Sequence, residues 1–270
     1  MQGVLRKIFG CANSRLSHFV SVTYKWVAQS VKWMDMAKWD ACSFGFDPKR
    51  LEGRLCFGGL DLSATTDITA LVLVFPPEYE DDKYVVVPYF WIPKDSLEAR
   101  VRRDHVPYDE WKARGLINTT EGNVIHYSFI EKFIEDLGKK YRIAEIAMDE
   151  WGAWSVEQNL SNKGFTMLGF KQSMQYLSSP TKELYRLVMM GKIAHAGNLP
   201  LRWMVENIVV KTDASGNIRP DKAKATERID GIVALIMALD RALRHGNRRK
   251  SVYDERGIIS YGEDGWYGFD

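Results

Sequence analysis

A chain of 270 residues, 46% hydrophobic and 27% charged, has the composition of an ordinary globular protein with room for one large domain. Its formal net charge of +2 permits a nucleic-acid partner without arguing for one, because only a clustered basic face would do that. Three widely spaced cysteines, Cys11, Cys42 and Cys56, form no CxxC pair; they point to a reducing compartment and away from a zinc site.

In the first fifteen residues Arg6 and Lys7 are not followed by the apolar run of an export signal, and Lys25 and Lys32 interrupt the only later candidate for a membrane span. Val20, Tyr24, Val27, Val31 and Met34 recur at helical spacing and predict an amphipathic helix. Three short runs follow, LCFGGLDL, ITALVLVF and KYVVVPYFWI, rich in branched and aromatic residues and separated by turn signals; such short connections predict an antiparallel meander. Residues 97–103 and 108–114 read as charged helices. Ser128 is the expected cap of a helix whose apolar face is Phe129, Phe133, Ile134 and Leu137. The strand IAEIAMD, a short helix over 156–160, the strand FTMLGF and a helix opened by Ser178 or Ser179 with Pro180 then alternate, which implies crossovers and parallel pairing. A hairpin is expected over 208–223 around Ala-Ser-Gly-Asn. The last helix is expected from Thr226; it is apolar on nearly every side over 229–239, so it should be buried, with Asp230 in its first turn. The tail over 246–270 is Gly-rich and polar, as a flexible segment would be.

Three carboxylates fall where burial is expected. Asp61 shares a strand face with Leu55, Phe57 and Gly59, Asp149 ends IAEIAMD, and Asp230 starts the buried helix. An uncompensated buried carboxylate costs several kcal/mol or takes up a proton. No single Arg or Lys is placed by sequence to neutralise all three, whereas Mg²⁺ or Mn²⁺ prefers carboxylate oxygens, and a two-metal site needs three or four of them. Each has a plain structural alternative: a turn with Ser63 for Asp61, a cap after its strand for Asp149, the positive end of its helix for Asp230. Asp67, beyond Thr65-Thr66, is either a ligand or supporting group, or a loop cap.

An aspartate on the first strand of a three-stranded meander, an acid ending the fourth strand and another on the last helix resemble the ribonuclease H-like nuclease fold. The stretches GLDLSATTD, AMDEWGAW, GKIAHAGNLPLRWMVENIVVKTDASGN and RIDGIVALIMAL are similar to the nuclease domain of the large terminase subunit of tailed bacteriophages, from about residue 33 to 243. The resemblance implies an α/β fold with a mixed five-stranded sheet, three antiparallel strands and then parallel additions, flanked by helices, with an extra hairpin before the C-terminal helix. It implies a DNA-packaging endonuclease that cuts concatemeric double-stranded DNA, with two Mg²⁺ or Mn²⁺ ions held by Asp61, Asp149 and Asp230, and Asp67 following the first by the family's short loop. His195 and Asn198 also match family positions, with DNA contact as one role for His195 and core or loop structure as the other. The implied partners are DNA, a small terminase subunit, a portal and a separate ATPase domain, in the host cytoplasm and with no membrane.

No GxxxxGK[ST] phosphate loop occurs in these 270 residues. The expected organisation is an N-terminal helical segment or linker remnant (1–50), the nuclease domain (51–245) and the tail (246–270). Lys222, Lys224 and Arg228, just before Asp230, are the candidate cations for DNA phosphates. Two rival readings stay open. One is a kinase-like or actin-like ATPase on the same sheet, which would need a second phosphate loop. The other is a catalytically silent DNA-binding assembly module, which the three acids argue against.

Overall fold

The computed structural model describes residues 32–63, 67–79, 82–150, 154–225 and 227–245, together with the backbone of 261–262 and 265–266. Met34–Asp270 is one of two compact units and carries everything that follows. The helix expected over Val20 to Met34 lies outside the described residues except at its end. So does the tail, apart from a short antiparallel pairing of Tyr261–Gly262 with Gly265–Trp266.

A short helix, α1 (Met36–Ala41), is capped by Asp35, whose carboxylate accepts from the backbone of Ala37 and Lys38. The meander follows as β1 (Leu55–Asp61), β2 (Thr69–Phe75) and β3 (Tyr84–Pro93), antiparallel throughout. Every residue of β2, and all of β1 after Leu55, is buried, because helices cover both faces of the sheet. Helices α2 (Leu97–Asp104) and α3 (Tyr108–Ala113) lead to a three-residue strand, β4 (Asn118–Thr120). Then α4 (Tyr127–Gly138), β5 (Arg142–Asp149), α5 (Trp154–Asn162), β6 (Met167–Phe170) and α6 (Met174–Met189) alternate as the periodicity requires. The chain closes with β7 (Ile193–Ala194), α7 (Leu199–Asn207), the hairpin β8 (Val210–Thr212) and β9 (Ile218–Pro220), and α8 (Asp230–His245).

The main sheet has the order β4-β3-β2-β1-β5-β6, with β7 also paired to β3. The expected five strands are β3-β2-β1-β5-β6, and β5 and β6 are parallel to β1 and to each other. The edge strands β4 and β7, both parallel to β3, were not read from sequence, since segments of three and two residues carry no usable period. One face of the sheet takes α8, which also packs on α6 and α7. On the other face Ile130, Ile134 and Leu137 of α4 and Val156 and Leu160 of α5 meet Cys56, Leu60, Leu71, Leu73, Ile146 and Met148 of the strands.

Three local expectations are corrected. Helix α4 starts at Tyr127, with His126 and not Ser128 at its N-cap, and its buried face runs through Ile130 while Phe129 is 55% exposed. Pro180 lies inside α6 rather than opening it, because a turn from Met174 precedes it and Thr181 Oγ1 donates to Leu177 O at 2.6 Å. The last helix begins at Asp230 itself and not at Thr226.

Candidate metal centre

Helix α8 brings distant acids together. It runs antiparallel to β1, with Ala234 and Ala238 opposite Gly59, and Arg241 and His245 at the far end beside Glu145 and Phe57. Gly59 is required here: a Cβ would overlap the Ala234 carbonyl and lie 2.8 Å from the Ala238 nitrogen. From Gly59 to Asp61 two residues of strand rise about 7 Å, and from Ala234 to Asp230 four of helix rise about 6 Å, so the contact at Gly59 delivers the first residue of α8 to the end of β1. Asp230 thus meets Asp61. The parallel register Leu60↔Met148 sets Asp149 beside Asp61 on the neighbouring strand end. All three acids lie at the carboxyl ends of the parallel strands, where open α/β sheets place their ligand sites.

Asp61 and Asp230 are each only 5% exposed. Between them lies the ammonium of Lys222, with Nζ 2.6 Å from Asp61 Oδ2 and 3.3 Å from Asp230 Oδ1. Asp230 Oδ2 also accepts from the Ile68 amide at 3.3 Å. Burial pushes the Asp61 carboxyl up to about 7; Lys222 opposes that rise, and the charges of Asp230 and Asp149 add to it. Burial raises Asp230 as well, against Lys222 and with help from Asp67. For Lys222, burial works toward a lower value, but the two carboxylates outweigh it and hold the ammonium above its usual range.

The turn after β9 aims Lys222 inward. The Asp221 amide donates to Val209 O, its carbonyl accepts from Lys224 and Ala225, and its carboxylate accepts from Ala223 at 3.2 Å. Lys222 therefore sits on the acids. Arg228 pairs with Asp67, whose side chain is 43% exposed, and Lys224 is exposed on the turn. The Asp67 amide also donates to the Ser63 hydroxyl oxygen at 3.0 Å, so Asp67 helps fold the loop between β1 and β2.

His195 is 1% exposed and stacks on Trp39 with ring centroids 4.3 Å apart. Its Nε2–H donates to Trp39 O at 2.8 Å, and its Nδ1 accepts from Gly197 at 3.2 Å, so the ring is neutral and pins α1 to the loop after β7. DNA contact is overturned by that burial. Asn198 caps α7 by accepting from Leu201 at 3.0 Å. Sequence reasoning missed Arg100, which is 2% exposed and donates through Nη2 to Asp67 O at 3.4 Å and through Nε to Ser96 Oγ at 3.0 Å. The available signal was its spacing: Arg100 holds the position that an apolar residue would take after Leu97 on the inner face of α2.

Oxygen donors only, two of them already converging on one cation, suit a hard divalent ion. Lys222 now occupies that place, and among the described residues no three His, Cys, Asp or Glu side chains form a ready-made metal cluster. The residues fit such an ion once Lys222 moves aside.

The family described as terminase large subunit, endonuclease domain, matches residues 15–246. The terminase large subunit of Enterobacteria phage HK97 is 33% identical over 232 residues, covering 85% of this chain and 44% of that protein. Protein YmfN of Escherichia coli strain K12 is 26% identical over 261 residues, covering 93% of this chain and 57% of that protein. The crystal structure of the HK97 bacteriophage large terminase aligns with a TM-score of 0.71 at 32% identity, over 78% of this chain and 44% of that one. The chain spans about half the length of the curated relatives it matches. The mixed sheet flanked by helices and the match over most of the sequence agree, and this chain belongs to the endonuclease-domain family of the terminase large subunit.

Proposed function

We propose that the chain is a divalent-metal-dependent endonuclease that hydrolyses phosphodiester bonds of double-stranded DNA during viral genome packaging. The observation that carries this reading is the convergence of buried Asp61 and Asp230 on one cationic centre, with Asp149 next to Asp61 in register. Asp61, Asp149 and Asp230 would hold the metal, and Asp67 would steady the loop or add an oxygen. Two bound Mg²⁺ or Mn²⁺ ions would supply an activated water and stabilise the leaving oxygen. Burial of Asp61 and Asp230 excludes bulk water from their oxygens, and the Ile68 amide orients Asp230. Lys224 and Arg228, on the segment before α8, would hold a bound strand's phosphates, joined by Lys222 once it leaves the acids. In the packaging assembly the partners would be a small terminase subunit, a portal and an ATPase domain, in the host cytoplasm. Among the described residues no helix is long and apolar enough to cross a membrane.

Mn²⁺ should raise the melting temperature in a concentration-dependent way and should support plasmid nicking or cutting without ATP. Asp61→Asn should lose both effects, with cleavage down by at least about a hundredfold. An unchanged melting curve at saturating Mn²⁺ removes the metal centre. Consumption of added ATP by the pure protein would instead favour a kinase-like reading of the same sheet.

A further inference from the structure

We propose that Lys222 is a resident cation of the acid pair, so that a divalent ion reaches Asp61 and Asp230 only by exchanging with the Lys222 ammonium. This rests on the metal-dependent reading above and adds to it a competitor supplied by the chain itself. The ammonium is 2.6 Å from one carboxylate and 3.3 Å from the other. Mg²⁺ or Mn²⁺ binds carboxylate oxygens at about 2.1 Å, so an ion bridging the same two oxygens falls in the space the nitrogen fills. The ammonium and such an ion cannot both fill that space. One of them leaves.

The surroundings indicate which part moves. The hairpin is anchored to α6 and the segment before it: the Ile218 amide donates to Ser178 Oγ at 3.2 Å, and Arg219 Nη1 donates to Gln172 O at 3.2 Å. The Asp221 turn is closed by its own hydrogen bonds. The Lys222 side chain has four rotatable methylenes and is 43% exposed, so the path of least resistance is a swing of that side chain outward while the backbone stays. Displaced, the ammonium remains within one side-chain length of the acids, where a phosphate oxygen of a bound strand can take it up. Metal entry and phosphate binding then assist each other, since each removes Lys222 from the competing position.

The test is Mn²⁺ affinity without DNA, measured by calorimetric titration of the full chain and of single variants. Lys222→Met should bind Mn²⁺ about tenfold more tightly or better, because the competitor is gone. Lys222→Gln checks the same loss with a hydrogen-bonding side chain should the Met variant fold poorly. Lys222→Arg keeps a cation and should stay near the wild-type affinity. Lys224→Met changes net charge equally two residues away and should also leave it unchanged. Equal or weaker Mn²⁺ binding in Lys222→Met overturns the exchange while the metal centre stands. An equal gain in Lys224→Met overturns it too, by reducing the effect to net charge. Failure of all forms, wild type included, to bind Mn²⁺ overturns the metal-dependent reading and the exchange with it.

Discussion

At Asp61 burial, a neighbouring ammonium and two further carboxylates act on one group, and their sum leaves it hard to ionise. Asp230 sits in the same balance but also begins a helix, where a negative charge is ordinarily favourable. The two influences predict opposite results for Asp230→Asn. If the helix end dominated, the variant would lose a few tenths to about 1 kcal/mol. With Asp61, Asp149 and Asp67 nearby, the expected outcome in EDTA is an unchanged or higher melting temperature together with a large loss of Mn²⁺-dependent cleavage; a destabilised variant that still cuts takes Asp230 out of the site. The pH dependence has a defined sign at two residues. Asp61 titrates near 7 when folded against 3.8 in the reference chain, so between about pH 4 and pH 7 the folded form keeps a proton that the unfolded form has released. Metal-free stability due to this group is therefore full below that window and is lost as pH rises through it. His195 works in the opposite direction. Burial lowers its pKa from 6.5, so the unfolded chain takes up the proton first, and stability is lost as pH falls below 6.5. Urea unfolding in EDTA should show Asp61→Asn gaining on wild type from about pH 4 to pH 7, and His195→Gln losing less than wild type on the acid side. Parallel pH curves for all three proteins would contradict both assignments.

The contact between β1 and α8 is the element on which the acids depend. Neither a strand end nor a helix start places a carboxylate usefully by itself; the closeness allowed by Gly59, Ala234 and Ala238 does so. Adjacent glycines give an internal control, because Gly58 and Gly59 face opposite sides of the sheet. A Cβ at Gly58 would lie 3.1 Å from the Ile146 side chain, which can shift, whereas one at Gly59 meets the backbone of α8, which cannot. Gly58→Ala should cost about 1 kcal/mol and Gly59→Ala at least about 3 kcal/mol. Gly59→Ala should also weaken Mn²⁺ binding if it still folds, because α8 must slide or tilt and carry Asp230 with it. Thermal unfolding and Mn²⁺ titration of the two variants check this, and equal costs would contradict the close packing. The amphipathic elements were legible in advance because their pattern is local: α4 has one apolar face and α8 is apolar on nearly all sides. Their ends were less legible. The start of α4, the position of Pro180 and the start of α8 depend on which neighbours satisfy the terminal backbone groups, and that is not a periodic property.

On the scale of the whole molecule, sequence alone determined the antiparallel meander, the parallel crossovers that follow it, the buried last helix, and three acids at positions where burial would be costly. All of these follow from side-chain period, turn residues and connection length, which are properties of neighbours along the chain. Tertiary structure decided what compensates those acids. Lys222 lies 161 residues from Asp61 in sequence, and no local pattern predicts that its ammonium reaches between Asp61 and Asp230 instead of facing solvent. The same holds for Arg228 turned onto Asp67, for Arg100 buried under the β1–β2 loop, and for His195 enclosed beneath Trp39. Charge–charge energies depend on distance and on the exclusion of water, and both exist only once the sheet and α8 have closed on each other.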